Sequence, residues 1–243
     1  MTVRLAGPGL AGVALLAGAH AVPSVASLGQ WLPVREAPGA WCTWRGPRAR
    51  TVALTFDDGP DPTTTGPILD RLADLDVPAS FFVLGEAAAR HPDQVREIVE
   101  RGHSLGLHGH RHEHHLARSP WWIGRDLARA AEVVGRVTRR PVRWFRPPYG
   151  QISGGTALAA RRLELRTVLW SAWGREWAAS SPDEVVHRVL GGVEPGAIVL
   201  LHDSDATSPD GTADLVLDAL EPLVVGLRSR GLGLVTLDDL LAP

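Results

Sequence analysis

The chain has 243 residues, 44% of them hydrophobic, and a formal net charge of −2 at pH 7. That length supports one large α/β domain or two small ones, and the near-neutral charge excludes the basic footprint of a nucleic-acid binder. Cys42 is the single cysteine, which excludes an intramolecular disulfide and a cysteine-rich zinc site.

After Arg4 the chain runs from Leu5 to Leu28 with no acidic or basic residue except His20. Leu10–Ala17 has the character of a signal-peptide hydrophobic region, and Ala19-His20-Ala21 fits a small-x-small cleavage site. Pro8, Pro23 and several glycines make the stretch a mediocre membrane span. Residues 1–28 are therefore expected to be a signal peptide or a membrane anchor acting through residues 5–28. The protein is then exported or anchored at the cell envelope, the alternative being a cytoplasmic protein with an apolar arm. Residues 29–50, rich in Pro, Gly and Arg with Trp31, Trp41 and Trp44, read as a linker or strap.

From Thr51 the pattern alternates strand and helix. Thr51–Phe56 reads as a buried strand, residues 64–75 as a helix with apolar positions 68, 69, 72 and 75, and Ala79–Leu84 as a second strand. A helix over Pro92–Arg101 stops at Gly102, and a short strand His103–Leu107 ends at His108. Further on come a long helix at Trp121–Thr138, a strand at Arg143–Phe145, a helix at Thr156–Leu163 and a strand at Leu165–Trp170. Pro182–Leu190 opens on a proline suited to a first helical turn, Gly196–Leu201 is an apolar strand, and Leu215–Arg230 and Leu232–Thr236 are a last helix and strand. Residues 51–243 thus form a single α/β domain, expected to be an irregular (β/α) barrel of about seven strands.

Polar residues gather at one end of these strands. Asp57 and Asp58, His108, Arg146, Trp170-Ser171 and His202 each lie at or just after a strand's C-terminal end, the edge where parallel α/β folds build active sites. Asp58, His108 and His112 make a three-ligand set with open positions. The octet His108-Gly-His-Arg-His-Glu-His-His115 leaves the register open, because His110/His114 has the same i, i+4 spacing. Such a set suits zinc and also cobalt, nickel or ferrous iron. Asp57 is then free to act as a general base on a water in an open position, Arg146 to pair with a carboxylate, and His202, closing an apolar strand, to act as a general acid.

The ordered stretches Thr55-Phe56-Asp57-Asp58-Gly59-Pro60, His108-Gly109-His110-Arg111-His112, Arg146-Pro147-Pro148-Tyr149, Trp170–Trp177 and Val199-Leu200-Leu201-His202 resemble the motifs of the polysaccharide deacetylases with a NodB-homology domain, carbohydrate esterase family 4. The resemblance covers about residues 50–240. It implies a NodB-like barrel, Asp57 as catalytic base, Asp58, His108 and His112 as metal ligands, and Arg146 orienting Asp57. It further implies that the backbone N–H of Tyr149 serves the oxyanion, Trp177 and Leu201 line the acetyl pocket, and His202 protonates the departing amine. In two places the chain departs from the family: Gly109 follows the first histidine where Ser or Thr is usual, and Glu176 replaces the Asp that tunes the catalytic histidine. Trp173 also stands where an acid is common.

The implied reaction is metal-dependent hydrolysis of N-acetyl groups on a polysaccharide, with zinc expected and cobalt or nickel as alternatives. Peptidoglycan is the first expected substrate and chitin-like oligomers the next. Two other readings compete: a deacylase for a non-sugar amide or ester, which a substrate panel separates, and a non-catalytic glycan-binding envelope protein, against which the intact acid–histidine set argues. A ferrous oxygenase uses a similar ligand set but has no task for Asp57 and His202.

Overall fold

The structure, a computed structural model, describes residues 20, 42–47 and 50–242. The expected signal or anchor at 1–28, apart from His20, and most of the segment 29–50 lie outside the described residues. No helix among the described residues is long and apolar enough to cross a membrane.

Among the described residues, eight parallel strands alternate with helices: β1 Thr51–Asp57, α1 Thr65–Asp74, β2 Ser80–Val83, α2 Gly85–Arg90, α3 Pro92–Glu100, β3 Ser104–Leu107, α4 Pro120–Thr138, β4 Trp144–Phe145, α5 Gly154–Arg162, β5 Arg166–Thr167, β6 Ala172–Trp173, α6 Pro182–Gly192, β7 Ile198–His202, α7 Thr212–Ser229, β8 Gly233–Leu234 and α8 Leu237–Leu240. The sheet order is β5-β4-β3-β2-β1-β7-β6, with β8 paired to the first residues of β1. This is the curled parallel sheet of a NodB-like (β/α) barrel.

The helices start where their caps dictate. Ser119 accepts the Trp122 N–H ahead of α4, Ser181 accepts the Glu184 N–H ahead of α6, and Ser153 and Thr156 form a reciprocal capping box at α5. The six-residue α2 and four-residue α8 are too short to show a helical period in sequence.

The strand expected at Leu165–Trp170 is instead shortened to β5, and β6 follows beyond its expected end. β5 and β6 are two-residue strands at opposite edges of the sheet, joined by Val168–Ser171. Thr43 bridges to Val168, Leu169 N–H donates to Thr43 O, and Ser171 N–H donates to Ile198 O. One covalent segment therefore turns from one sheet edge to the other and satisfies its backbone groups on both sides.

Strand periodicity sorts side chains into two layers. Val52, Leu54 and Phe56 of β1, with Val199 and Leu201 of β7, pack outward in the cluster that holds Ile68, Leu72, Leu127 and Leu223 of the helices. Ala53 and Ile198 face inward with Phe82, Trp144, Leu237 and Leu240. At the C-terminal rim the inward positions pass from apolar to polar, to Thr55 and Asp57 on β1, Arg146 just after β4 and His202 on β7.

Candidate active site

β1 ends on Asp57 and Asp58, which are 2% and 1% exposed. Asp58 has φ +79°, a left-handed conformation that costs a non-glycine residue about 1–3 kcal/mol and persists only where surroundings hold it. The hold comes from the end of β7. Asp203 N–H donates to Asp57 O, and the Asp203 carboxylate accepts Gly59 N–H at 3.2 Å and the Thr65 hydroxyl at 2.6 Å. A Cβ on Gly59 would stand 2.1 Å from Asp203 Oδ2, so this close approach requires glycine. Burial pushes the Asp203 carboxyl up to about 7.

Arg146 is wholly buried. Its Nη1 donates to Asp57 Oδ1 at 2.6 Å and Thr55 Oγ1 at 2.8 Å, its Nη2 donates to Leu169 O at 3.1 Å, and its guanidinium lies 4.1 Å from the Phe82 ring centroid. Burial lowers the pKa of Arg146 and the adjacent Asp57 opposes that. The backbone carbonyl of Arg146 also accepts from His108 Nδ1 at 2.8 Å, and since a carbonyl only accepts, the lone pair of His108 is on Nε2.

His108 Nε2 and His112 Nε2 stand 3.4 Å and 3.5 Å from Asp58 Oδ1. Burial, then the neighbouring His108, lower His112 to about 4, so its ring is neutral and able to ligate at physiological pH. The ligand atoms of Asp58, His108 and His112 all lie within 4.8 Å of one another. Asp58 Oδ1 is buried without a hydrogen-bond partner. An unpartnered carboxylate oxygen beside the Nε2 lone pair of His108 is a repulsive arrangement unless a cation sits between them, so this donor set fits a divalent metal. His110 and His114 do not join it. His110 lies against Gly85, and His114 stacks on Tyr149 with ring centroids 3.6 Å apart.

Opposite, His202 Nδ1 meets Glu176 Oε1 at 2.7 Å, and His202 Nε2 is 3.9 Å from Asp58 Oδ2. Glu176, buried in the 3₁₀ turn Glu176–Ala178, reaches His202 despite its extra methylene relative to Asp. Burial disfavours the imidazolium, but Glu176 outweighs it and raises His202 to about 9.

A cavity of about 380 Å³ joins these groups; Tyr149, Trp170, Trp173, Trp177 and Leu200 line it with the acids and histidines. Trp170, Trp173, Trp177 and His202 follow one another at centroid spacings of 5.6, 5.4 and 5.5 Å, which makes one wall aromatic. Leu201 corrects the expectation drawn from the sequence. It belongs to the outer core, fully buried, and the strand's alternation turns Leu200 to the cavity instead. Tyr149 is at φ +57° and lines the cavity.

Asp126 and Asp203 also serve the site and were not singled out from the sequence, whereas Gly109 was. Gly109 is at φ +88°, where a side chain would be strained, and the loop is braced from below by Asp126 of α4, whose Oδ2 accepts His110 N–H at 2.8 Å. Asp126 left a legible trace as an acid within the buried face of α4, between Ile123 and Ala130. Asp203 adjoins His202, but its clamp on Gly59 depends on β1 pairing with β7.

A polysaccharide deacetylase family model matches residues 45–168. A peptidoglycan-N-acetylglucosamine deacetylase of Bacillus cereus is 32% identical over 213 residues, covering 87% of this chain and 76% of that protein. A chitooligosaccharide deacetylase of Rhizobium leguminosarum bv. trifolii is 38% identical over 197 residues, covering 77% of this chain and 90% of that protein. The crystal structure of the Bc1960 peptidoglycan N-acetylglucosamine deacetylase superposes with a TM-score of 0.76 at 33% identity, covering 82% of this chain and 91% of that one. With this fold and these motifs, the chain belongs to the polysaccharide deacetylases with a NodB-homology domain, carbohydrate esterase family 4, a family of metal-dependent N-deacetylases.

Proposed function

We propose that the protein hydrolyses N-acetyl groups of a cell-envelope polysaccharide, releasing acetate and leaving a free amino sugar. Peptidoglycan is the substrate we favour and chitin-like oligomers come next, in keeping with the activities named for the Bacillus and Rhizobium relatives. The observation that carries the reading is the division of labour between adjacent carboxylates: Asp57 bound to Arg146, and Asp58 turned toward two imidazoles, with His202–Glu176 across the same cavity. Export or anchoring through residues 5–28 is the setting we propose, and it rests on the apolar run of that segment.

Asp58, His108 and His112 would hold the ion. Zinc suits this mixed nitrogen and oxygen donor set, with cobalt or nickel as alternatives. When bound, the ion supplies Lewis-acid polarisation of a carbonyl and lowers the pKa of a water. Asp57, with Arg146 as its buried counter-charge, accepts the proton of the attacking water. The Tyr149 N–H is the donor for the developing oxyanion. Trp177 and Leu200 enclose the acetyl methyl. His202, whose Nδ1 is committed to Glu176, delivers its Nε2 proton to the departing nitrogen.

The substrate test is acetate release from peptidoglycan and chitooligosaccharides beside simple N-acetyl amides that lack a sugar. Sugar-selective release is expected; equal or faster turnover of the simple amides would favour the non-sugar deacylase. His108→Ala is expected to lose zinc and activity together, read by metal content and acetate release on one preparation. A variant retaining both would remove His108 from the ligand set.

Glu176→Gln tests the acid. His202 must be protonated to donate, and its raised value puts the alkaline limb of kcat/KM near pH 9. Removing the Glu176 charge moves that limb down toward the ordinary imidazole value of 6.5. By the same linkage, the stability gained from the Glu176–His202 pair is fully present below pH 6.5 and is lost as pH rises through about 9. An alkaline limb that stays in place would detach Glu176 from the mechanism.

A further inference from the structure

The Asp58 carboxylate has two oxygens in different surroundings. Oδ1 faces His108 and His112 and has no hydrogen-bond partner, whereas Oδ2 accepts a hydrogen bond from the hydroxyl of Thr207. We propose that Thr207 is a positioning residue for the metal centre, fixing the rotation of the Asp58 carboxylate so that one oxygen is presented to the histidines and the other is withdrawn from them. This rests on the reading of Asp58, His108 and His112 as metal ligands.

The terminal torsion of an aspartate is broad and roughly two-fold, so backbone placement alone does not decide which oxygen points where. His202 Nε2 lies 3.9 Å from Oδ2 on the same side as Thr207 and is too far away to hold it as a hydrogen bond would. Thr207 is the side chain that makes the choice.

Its loop is built to hold it there. Between β7 and α7, the Asp205 carboxylate accepts Gly211 N–H at 2.6 Å and Ala213 N–H at 2.7 Å, fastening the loop to the first turn of α7. Ser208 N–H donates to Asp205 O at 3.2 Å, and Ser204 Oγ accepts Ala206 N–H at 3.1 Å. Thr207 is therefore flanked on both sides by ordered turns. It lines both the aromatic cavity and a neighbouring cavity of about 470 Å³, as do Asp58, His112 and Tyr149. Groups that orient a metal ligand typically contribute about 10–100-fold to metal affinity when removed.

The test compares Thr207→Val, which keeps the branched shape and loses the hydroxyl, with Thr207→Ser, which keeps the hydroxyl. Zinc affinity of the full, metal-stripped chain is measured by competition with a chromogenic chelator, beside thermal unfolding of the metal-free protein. Thr207→Val is expected to bind zinc about 10–100-fold more weakly, with Thr207→Ser close to wild type and the metal-free unfolding temperatures alike. Wild-type affinity in Thr207→Val overturns the proposal, as does an equal loss in Thr207→Ser. A wild-type chain that takes up no zinc overturns the ligand reading and this assignment with it, a result separable from the others because it appears before any substitution.

Discussion

Asp57→Asn is expected to lower kcat by about 10²–10⁴-fold while zinc remains bound, because it removes a proton acceptor and leaves Asp58, His108 and His112 untouched. The amide is nearly isosteric with the carboxylate and can still accept from Arg146, so the site keeps its shape. What it lacks is the charge that draws the proton. Zinc content and single-turnover acetate release on the same sample check this. Near wild-type turnover would remove Asp57 as the base, and loss of zinc along with activity would mean that Asp57 is itself a ligand.

Arg146→Leu is expected to be the most destabilising change in the site, at about 3–5 kcal/mol. Arg146 is wholly buried and serves Asp57, Thr55 and Leu169 at once. Deleting it leaves a carboxylate at 2% exposure without its bound guanidinium and a backbone carbonyl without that donor. Solvent does not screen a pair this deep, so the loss is not discounted as it would be for a surface ion pair such as Arg136–Glu132. Urea denaturation of the metal-free variant measures it. A cost below about 1 kcal/mol would show that Asp57 finds another partner. Arg146→Lys keeps the charge but loses the planar fork that reaches three acceptors, so an intermediate cost is expected.

Much of the site was legible because strand ends leave a local mark. An apolar run that breaks into Asp57-Asp58-Gly59-Pro60, or ends on His202, marks the rim whatever the rest of the chain does. Arg146 was legible for the same reason. Leu201 was legible in principle: side chains alternate with period two, so a strand that brings His202 to the site turns Leu200 inward with it, as their pairing with Thr55 and Asp57 of β1 shows. The division of residues 165–173 into β5 and β6 depends on Thr43 pairing with Val168, more than a hundred residues away, and no local pattern encodes it. Thr207 left no signal at all. A threonine in a polar loop gains meaning only when the fold brings it to Asp58.

The most direct test of the account is acetate release from N-acetylated peptidoglycan and chitooligosaccharides by the purified protein after chelation, followed by zinc add-back. Acetate release that falls to background on chelation and returns with zinc is the predicted result. Release that survives complete metal removal, or no acetate from any N-acetylated sugar while zinc is bound, would contradict it.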